Sequence, residues 1–260
     1  MTIDTTPAYT AAPARPRPAL ARLVLTEARL LIREPVALFW GLAFPMALLA
    51  IMGITSSGPG ARLGGLPLVA VYEPILIAFV TVAFAIQGLP AVVAGYRERR
   101  ILRRMATTPV GPVRVVGAQL IVNLAVALVA TAGILAVGRL AFGVALPGQP
   151  AGFGVTYVLA AGAMLGLGML IAAVAPTGRT AGVIGTMLFF PLMFFAGLWI
   201  PRAQMPASLL QISDFTPLGA AVGAMQDSMH GAWPHPSGLA VLAAYAVVFT
   251  VAAARFFRWE

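Results

Sequence analysis

The chain has 260 residues, 60% of them hydrophobic and only 10% charged. This excludes a soluble globular domain, because six uncharged runs of about 18 to 24 residues can each cross a hydrocarbon core of about 30 Å at about 1.5 Å of helical rise per residue. The formal net charge of +9 comes from seventeen arginines with no lysine, and the absence of cysteine excludes disulfides, thiolate metal sites and cysteine nucleophiles.

Residues 1–18 are rich in Pro, Ala and Thr and lack the apolar core of a signal peptide, so a disordered cytoplasmic tail is expected there. From Ala19 to Glu34, Arg22, Thr26, Arg29 and Arg33 recur at helical spacing while Leu20, Leu23, Val24, Leu30 and Leu31 cover other faces. Two readings fit: an amphipathic helix in the plane of the membrane interface, or an extension of the first span. Pro35 disfavours helix at Glu34 and so favours the in-plane helix.

The spans are expected near 35–55, 74–95, 115–138, 153–175, 181–200 and 237–254. Fourteen of the seventeen arginines then share one side, leaving Arg62, Arg139 and Arg202 on the other. That asymmetry places both termini in the cytoplasm of a cell (plasma or inner) membrane. With no aromatic residues interleaved, the arginines follow the membrane face and no nucleic-acid partner is expected. Pro45, Pro90 and Pro191 fall inside spans, where kinks either open a cavity or merely interrupt packing. In the fourth span Gly162, Gly166 and Gly168 form a small-residue face suited first to packing within the chain.

After the second span comes YRERRILRRMATTPVGP, with five arginines between Arg97 and Arg104. Arginines that only orient the chain or hold anionic lipid, at about 1 kcal/mol each, would explain the charge. Neither task needs Glu98 among them, the apolar strip Ile101, Leu102 and Met105, or the turn that follows.

Only Pro201–Pro236 is a long loop, on the outer side, with short helices expected at 206–213 and 217–229, the second capped by Thr216 with Pro217 at its first position. Leu209, Leu210, Ile212, Leu218, Val222 and Met225 make it apolar, as in a re-entrant lid packed on the spans.

A lysine-free chain holds neither a P-loop lysine nor a lysine Schiff base, so no ATP site of that kind is expected. His230 and His235 lack the companions a zinc site needs, and no metal or cofactor is expected on this chain. No serine-nucleophile elbow is present, and no acid falls well inside a span, Glu73 standing at the mouth of the second, so a proton relay is also missing. Gln87 and Asn123 are two polar, non-ionisable residues inside spans, suited to lining a cavity or to hydrogen bonding between helices. Phe189, Phe190, Phe194 and Phe195 form an aromatic patch on the fifth, suited to substrate, lipid or a dimer seam.

LTEARLLIREPVALFWGLAFPMALL, then YRERRILRRMATTPVGPVRVVGAQL, then FFPLMFFAGLWIPRAQMPASLLQISDFTPLGAAVGAMQD together resemble the ABC-2 type permeases, membrane subunits of a class of ABC transporters, most of all those of the daunorubicin exporter type. The likeness covers 19–260. It implies an all-α, polytopic transmembrane domain with six spans, an in-plane amphipathic helix, a cytoplasmic coupling helix and an extracellular re-entrant segment.

The resemblance further implies a non-enzymatic half-transporter that pairs with a second permease subunit, identical or not, and with separate ATPase subunits that bind ATP and Mg. The family's coupling helix corresponds to Arg97–Thr107, with Arg97, Glu98, Arg99, Arg100, Arg103 and Arg104 as its charges and Ile101, Leu102 and Met105 as its apolar strip. The family's gate corresponds to Pro201–Met229, here offering Leu209, Leu210, Leu218, Val222 and Met225. Its substrate path, between spans two and five of paired subunits, would involve Gln87, Asn123 and the phenylalanine patch. One departure is the very short connection at 176–180 between spans four and five, which leaves little docking surface. Export of a drug, lipid or glycolipid is the expected activity; a self-contained secondary transporter or channel, or a membrane anchor, are the alternatives.

Overall fold

The computed structural model describes residues 19–55, 62–63, 65–107 and 111–257. The expected tail at 1–18 and Thr108, Pro109 and Val110 of the turn after the cationic segment lie outside the described residues. The elements are α1 (Ala19–Ile32), α2 (Pro35–Thr55), a two-residue antiparallel hairpin of β1 (Arg62–Leu63) and β2 (Leu66–Pro67), α3 (Leu68–Glu98), α4 (Ile101–Ala106), α5 (Pro112–Phe142), α6 (Pro150–Val174), α7 (Gly178–Ala196), α8 (Ala207–Asp214), α9 (Pro217–Met229) and α10 (Pro236–Phe256). Among the described residues six helices are long and apolar enough to cross a membrane, namely α2, α3, α5, α6, α7 and α10. The chain is thus an all-α polytopic membrane protein.

Proline starts many of these helices for a physical reason: its missing N–H would be unsatisfied at a helix N-terminus anyway, and its fixed φ suits the first turn. Pro35, Pro112, Pro150, Pro217 and Pro236 all stand there. Glu34, with φ −98° and ψ 83°, breaks the path between α1 and α2, as Pro35 requires.

Most span ends shift by one to four residues from the sequence reading, and two changes matter. Span two begins at Leu68, after the extended Pro67, rather than at Pro74, so Glu73 lies inside the helix and not at its mouth. Its carboxyl is buried against Gly138 of α5, and its Oε2 has no hydrogen-bond partner among the described residues. At the other end of the sequence reading, α7 stops at Ala196 because Gly197 turns left-handed at φ 97°.

The core is built around α3, whose Ile75, Leu76, Ile77, Val80 and Ile86 are wholly buried. One side of it packs with α6, α7 and α9, the other with α2, α5 and α9. Both α2 and α3 contain a π-helical turn, at Phe39–Ala43 and Ala83–Gly88, and each precedes a proline by two residues. A proline ring collides with the carbonyl four residues earlier, here that of Gly41 or Ile86, and a widened turn relieves the collision. Pro191 sits in α7 with no π turn.

At the second π turn α6 and α7 come so close that a Cβ on Gly168 would lie 1.9 Å from the Ala85 carbonyl oxygen, and one on Gly185 2.1 Å from that of Ile86. Gly162 and Gly166 instead face α10, opposite Ala246 and Thr250, so the small-residue face packs within the chain.

The expected outer helices are present as α8 and α9, and the Thr216 hydroxyl accepts the Gly219 N–H at 3.2 Å. Leu218, Val222 and Met225 are 0% exposed and join the core, so this segment packs on the spans. Leu209 and Leu210 are half-buried, and Ile212 is exposed.

Candidate functional site

The chemistry-bearing groups gather at the arginine-rich end of the bundle. Here α1 lies on α5 with Arg22, Thr26, Arg29 and Arg33 exposed, as its periodicity dictates. Its inner face carries an acid: Glu27 is only 8% exposed. The Tyr96 hydroxyl, on the last turns of α3, donates to Glu27 with 2.9 Å to each carboxylate oxygen, and Gln119 Nε2 of α5 donates to Oε2 at 2.6 Å. One turn further along α5, Asn123 Nδ2 donates to the Gln119 carbonyl at 2.8 Å. Burial pushes the Glu27 carboxyl above its ordinary range, and the Tyr96 hydrogen bond offsets part of that rise.

This network walls a cleft of about 550 Å³, lined also by Leu30, Leu31, Glu34, Ala37, Gln87, Ala91, Val92 and Arg99. Gln87 reaches it from the π turn of α3 and Asn123 from α5, so the structure brings the two expected intraspan polar residues together. The four phenylalanines part company. Phe189 is buried and meets Phe79 edge-on, Phe190 is 55% exposed beside Trp199, and Phe194 and Phe195 are half-buried.

The cationic segment is two pieces rather than one helix. Arg97 and Glu98 finish α3, a turn follows in which Arg100 takes the left-handed φ of 56°, and α4 starts at Ile101. Such a backbone is uncommon for arginine and marks a sharp change of direction. Leu102 is 1% exposed and pins α4 to the bundle; Ile101 and Met105 are half-buried, and Arg99, Arg100, Arg103 and Arg104 face outward.

Arg97 and Glu98 also reach back into the bundle. Arg97 Nη1 donates to the Ala173 carbonyl at 3.0 Å and Nη2 to that of Ala175, while the Gly178 N–H donates to Glu98 Oε2 at 3.1 Å. Both side chains therefore hold the α6–α7 connection, satisfying carbonyls and an N–H left open at helix ends.

At the opposite end Arg202 spans three partners: Asp214 at 2.5 Å, the Ser213 hydroxyl at 2.7 Å and the Gly219 carbonyl at 3.1 Å. Ser213 Oγ in turn donates to the Phe195 carbonyl at 2.7 Å, tying α8 and α9 to the end of α7. Beside it a second cleft of about 570 Å³ is lined by Leu63, Val71, Phe142, Leu210, Met229 and His230 among others. Among the described residues no group of three or more metal-ligating side chains occurs.

Sequence reasoning missed Glu27, Tyr96 and Gln119. For Glu27 a signal existed: at positions 20, 23, 24, 27 and 31 it occupies the apolar stripe of α1, where an acid is out of place. Gln119 stands one helical turn before Asn123, on the same face.

Compared with curated proteins, the chain matches none. The family model described as ABC-2 type transporter matches residues 19–230, from α1 through α9, and so takes in both clefts, α4 and the Arg202 lock. With six membrane-crossing helices and a match over most of its length, the chain belongs to the ABC-2 type transporter family, as a permease subunit of an ABC transporter.

Proposed function

We propose that this chain is the membrane half of an exporter whose ATP-hydrolysing subunit is a separate polypeptide docked on α4. The observation that carries this is α4 itself: a short helix fixed to the bundle by Leu102 and presenting Arg103 and Arg104 outward, with Arg99 and Arg100 exposed in the turn before it. Charges fixed on a rigid element offer a partner both steering and register. ATP and Mg belong on that partner.

In this reading the arginine-rich end and both termini face the cytoplasm of the cell membrane. A second permease subunit, a copy or a sister chain, completes the transporter; exposed Val183, Met187 and Phe190 on α7 suit that seam. The cargo is a hydrophobic or amphipathic drug, lipid or glycolipid, passing Gln87 and Asn123 on its way outward. Leu209 and Leu210, the half-buried members of the expected gate, stand at the exit, and drug efflux is the expected phenotype.

The test is co-expression with a P-loop ATPase encoded beside this chain. The pair is expected to co-purify, and Arg103→Ala with Arg104→Ala to abolish cargo-stimulated ATP hydrolysis while membrane insertion persists. Transport by the purified chain alone under a proton gradient would sink the proposal.

A further inference from the structure

We infer that the cleft between α1, α2, α3 and α5 binds an amphiphile with an ammonium head, whose charge the Glu27 carboxylate meets. This rests on the permease reading above and narrows the cargo chemistry that it leaves broad.

The first support is the state of Glu27. Buried carboxylates are rare unless paired, and Glu27 is 8% exposed yet makes no ion pair among the described residues. It receives two donors, Tyr96 and Gln119, whereas a carboxylate offers about four acceptor positions. The remaining capacity borders a cleft of about 550 Å³, within the roughly 300–1,000 Å³ typical of small-molecule sites.

The second support is the sign of the lining. Glu34 adds another carboxylate at the mouth, and Gln87 and Asn123 add amide oxygens. Arg99, the one cationic residue in the lining, is exposed to solvent at the rim, where screening weakens it. An anionic head would meet two carboxylates, and a neutral one would leave the buried charge unmatched. A positive head answers both.

The third is the rest of the wall. Leu30, Leu31, Ala91, Val92 and Val122 form an apolar surface for a hydrocarbon or aromatic body. Leu30 and Val92 of that wall are 49% and 37% exposed, so the apolar lining continues onto the outer surface.

An ammonium head is supplied either by a soluble lipophilic amine or by an aminophospholipid, and one experiment separates them. The full chain in dodecyl maltoside micelles, whose head carries no charge, is titrated with dansylcadaverine, which joins an aromatic body to an alkylammonium, and with its uncharged N-acetyl derivative; empty micelles give the partition background. Saturable fluorescence enhancement is expected for the amine. Acetylation of the amine, or Glu27→Gln in the protein, should each weaken it by roughly 30-fold or more, as losing one partner of a buried charge pair does.

Ala91→Phe, which fills the cleft without touching the Glu27 network, should abolish binding and decides the matter if Glu27→Gln does not fold. Competition by added phosphatidylethanolamine identifies the lipid as the source, and its absence the soluble amine. Equal binding of the acetylated probe, or wild-type affinity in folded Glu27→Gln or Ala91→Phe, overturns the site. Because the readout involves no ATPase, failure here is distinct from failure of the ATPase pairing.

Discussion

The hydroxyl of Tyr96 bridges the two carboxylate oxygens of Glu27, 2.9 Å from each, and thereby fastens α1 to the end of α3. A tyrosine at the last turns of a membrane-crossing helix would ordinarily point its polar tip to water or headgroups. Here it points inward to an acid. Tyr96→Phe should cost about 1.5–3 kcal/mol, the range for a hydrogen bond to a charged group, and leave α1 loosely held. A lower melting temperature together with faster proteolysis within 19–32 checks it; an unchanged melt would mean the bond adds nothing.

The same carboxylate predicts a pH dependence. Its pKa in the folded protein is raised above the ordinary value of 4.5 by burial, among Tyr96, Gln119, Glu34 and Arg99. The folded state therefore binds this proton more tightly than the unfolded chain does. Its contribution to stability is complete below 4.5 and is lost as pH rises through the raised folded value. Thermal melts across that window should show the wild type losing stability relative to Glu27→Gln, and parallel curves would contradict it.

At the far end, Arg202→Ala should destabilise the outer helices by about 2–4 kcal/mol, since it strips the buried Ser213 and the Gly219 carbonyl of a charged donor. Arg202→Lys should recover little of this, because an ammonium does not reproduce the fork that reaches three partners. Asp214 is 52% exposed, so Asp214→Asn should cost about 0–1 kcal/mol. Melting of the three variants side by side tests the ranking.

The close passage of α3 by α6 and α7 predicts a steric effect. Gly168→Ala and Gly185→Ala would force a methyl against a backbone carbonyl that has no rotamer to escape into, at about 1–3 kcal/mol each. Gly154→Ala, where no atom lies within 4 Å, is the matched control and should be neutral or slightly stabilising. Yield of folded protein and melting temperature report the difference.

The cationic segment divides into two kinds of variant. Arg103→Ala should leave the melt unchanged, and Arg104→Ala nearly so, since it loses one exposed hydrogen bond to the Arg99 carbonyl; both should reduce ATPase stimulation. Arg97→Ala and Glu98→Ala should lower the melt as well, having lost the α6–α7 connection. A melt that drops equally for all four would remove the distinction.

Much of this was readable before any coordinates. Hydropathy and proline placement give the six spans, the break at Glu34 and the Thr216 cap, because each depends on local chemistry that a linear sequence displays. What stayed hidden depends on neighbours far along the chain. Leu218, Val222 and Met225 read as apolar, but the depth at which they join the core depends on α3 and α6. Arg97 and Glu98 read as part of a charged segment, but their hold on Ala175 and Gly178, some 80 positions later, is not visible along the chain. The π turns were legible only as prolines.

The α6–α7 connection is too short to offer a soluble subunit a foothold of its own. Arg97 and Glu98 grip it instead. Under the docking proposed above, a push on α4 would reach the end of α3 and, through those two side chains, α6 and α7 in the same stroke. One handle would then move three helices, the distant pair without being touched.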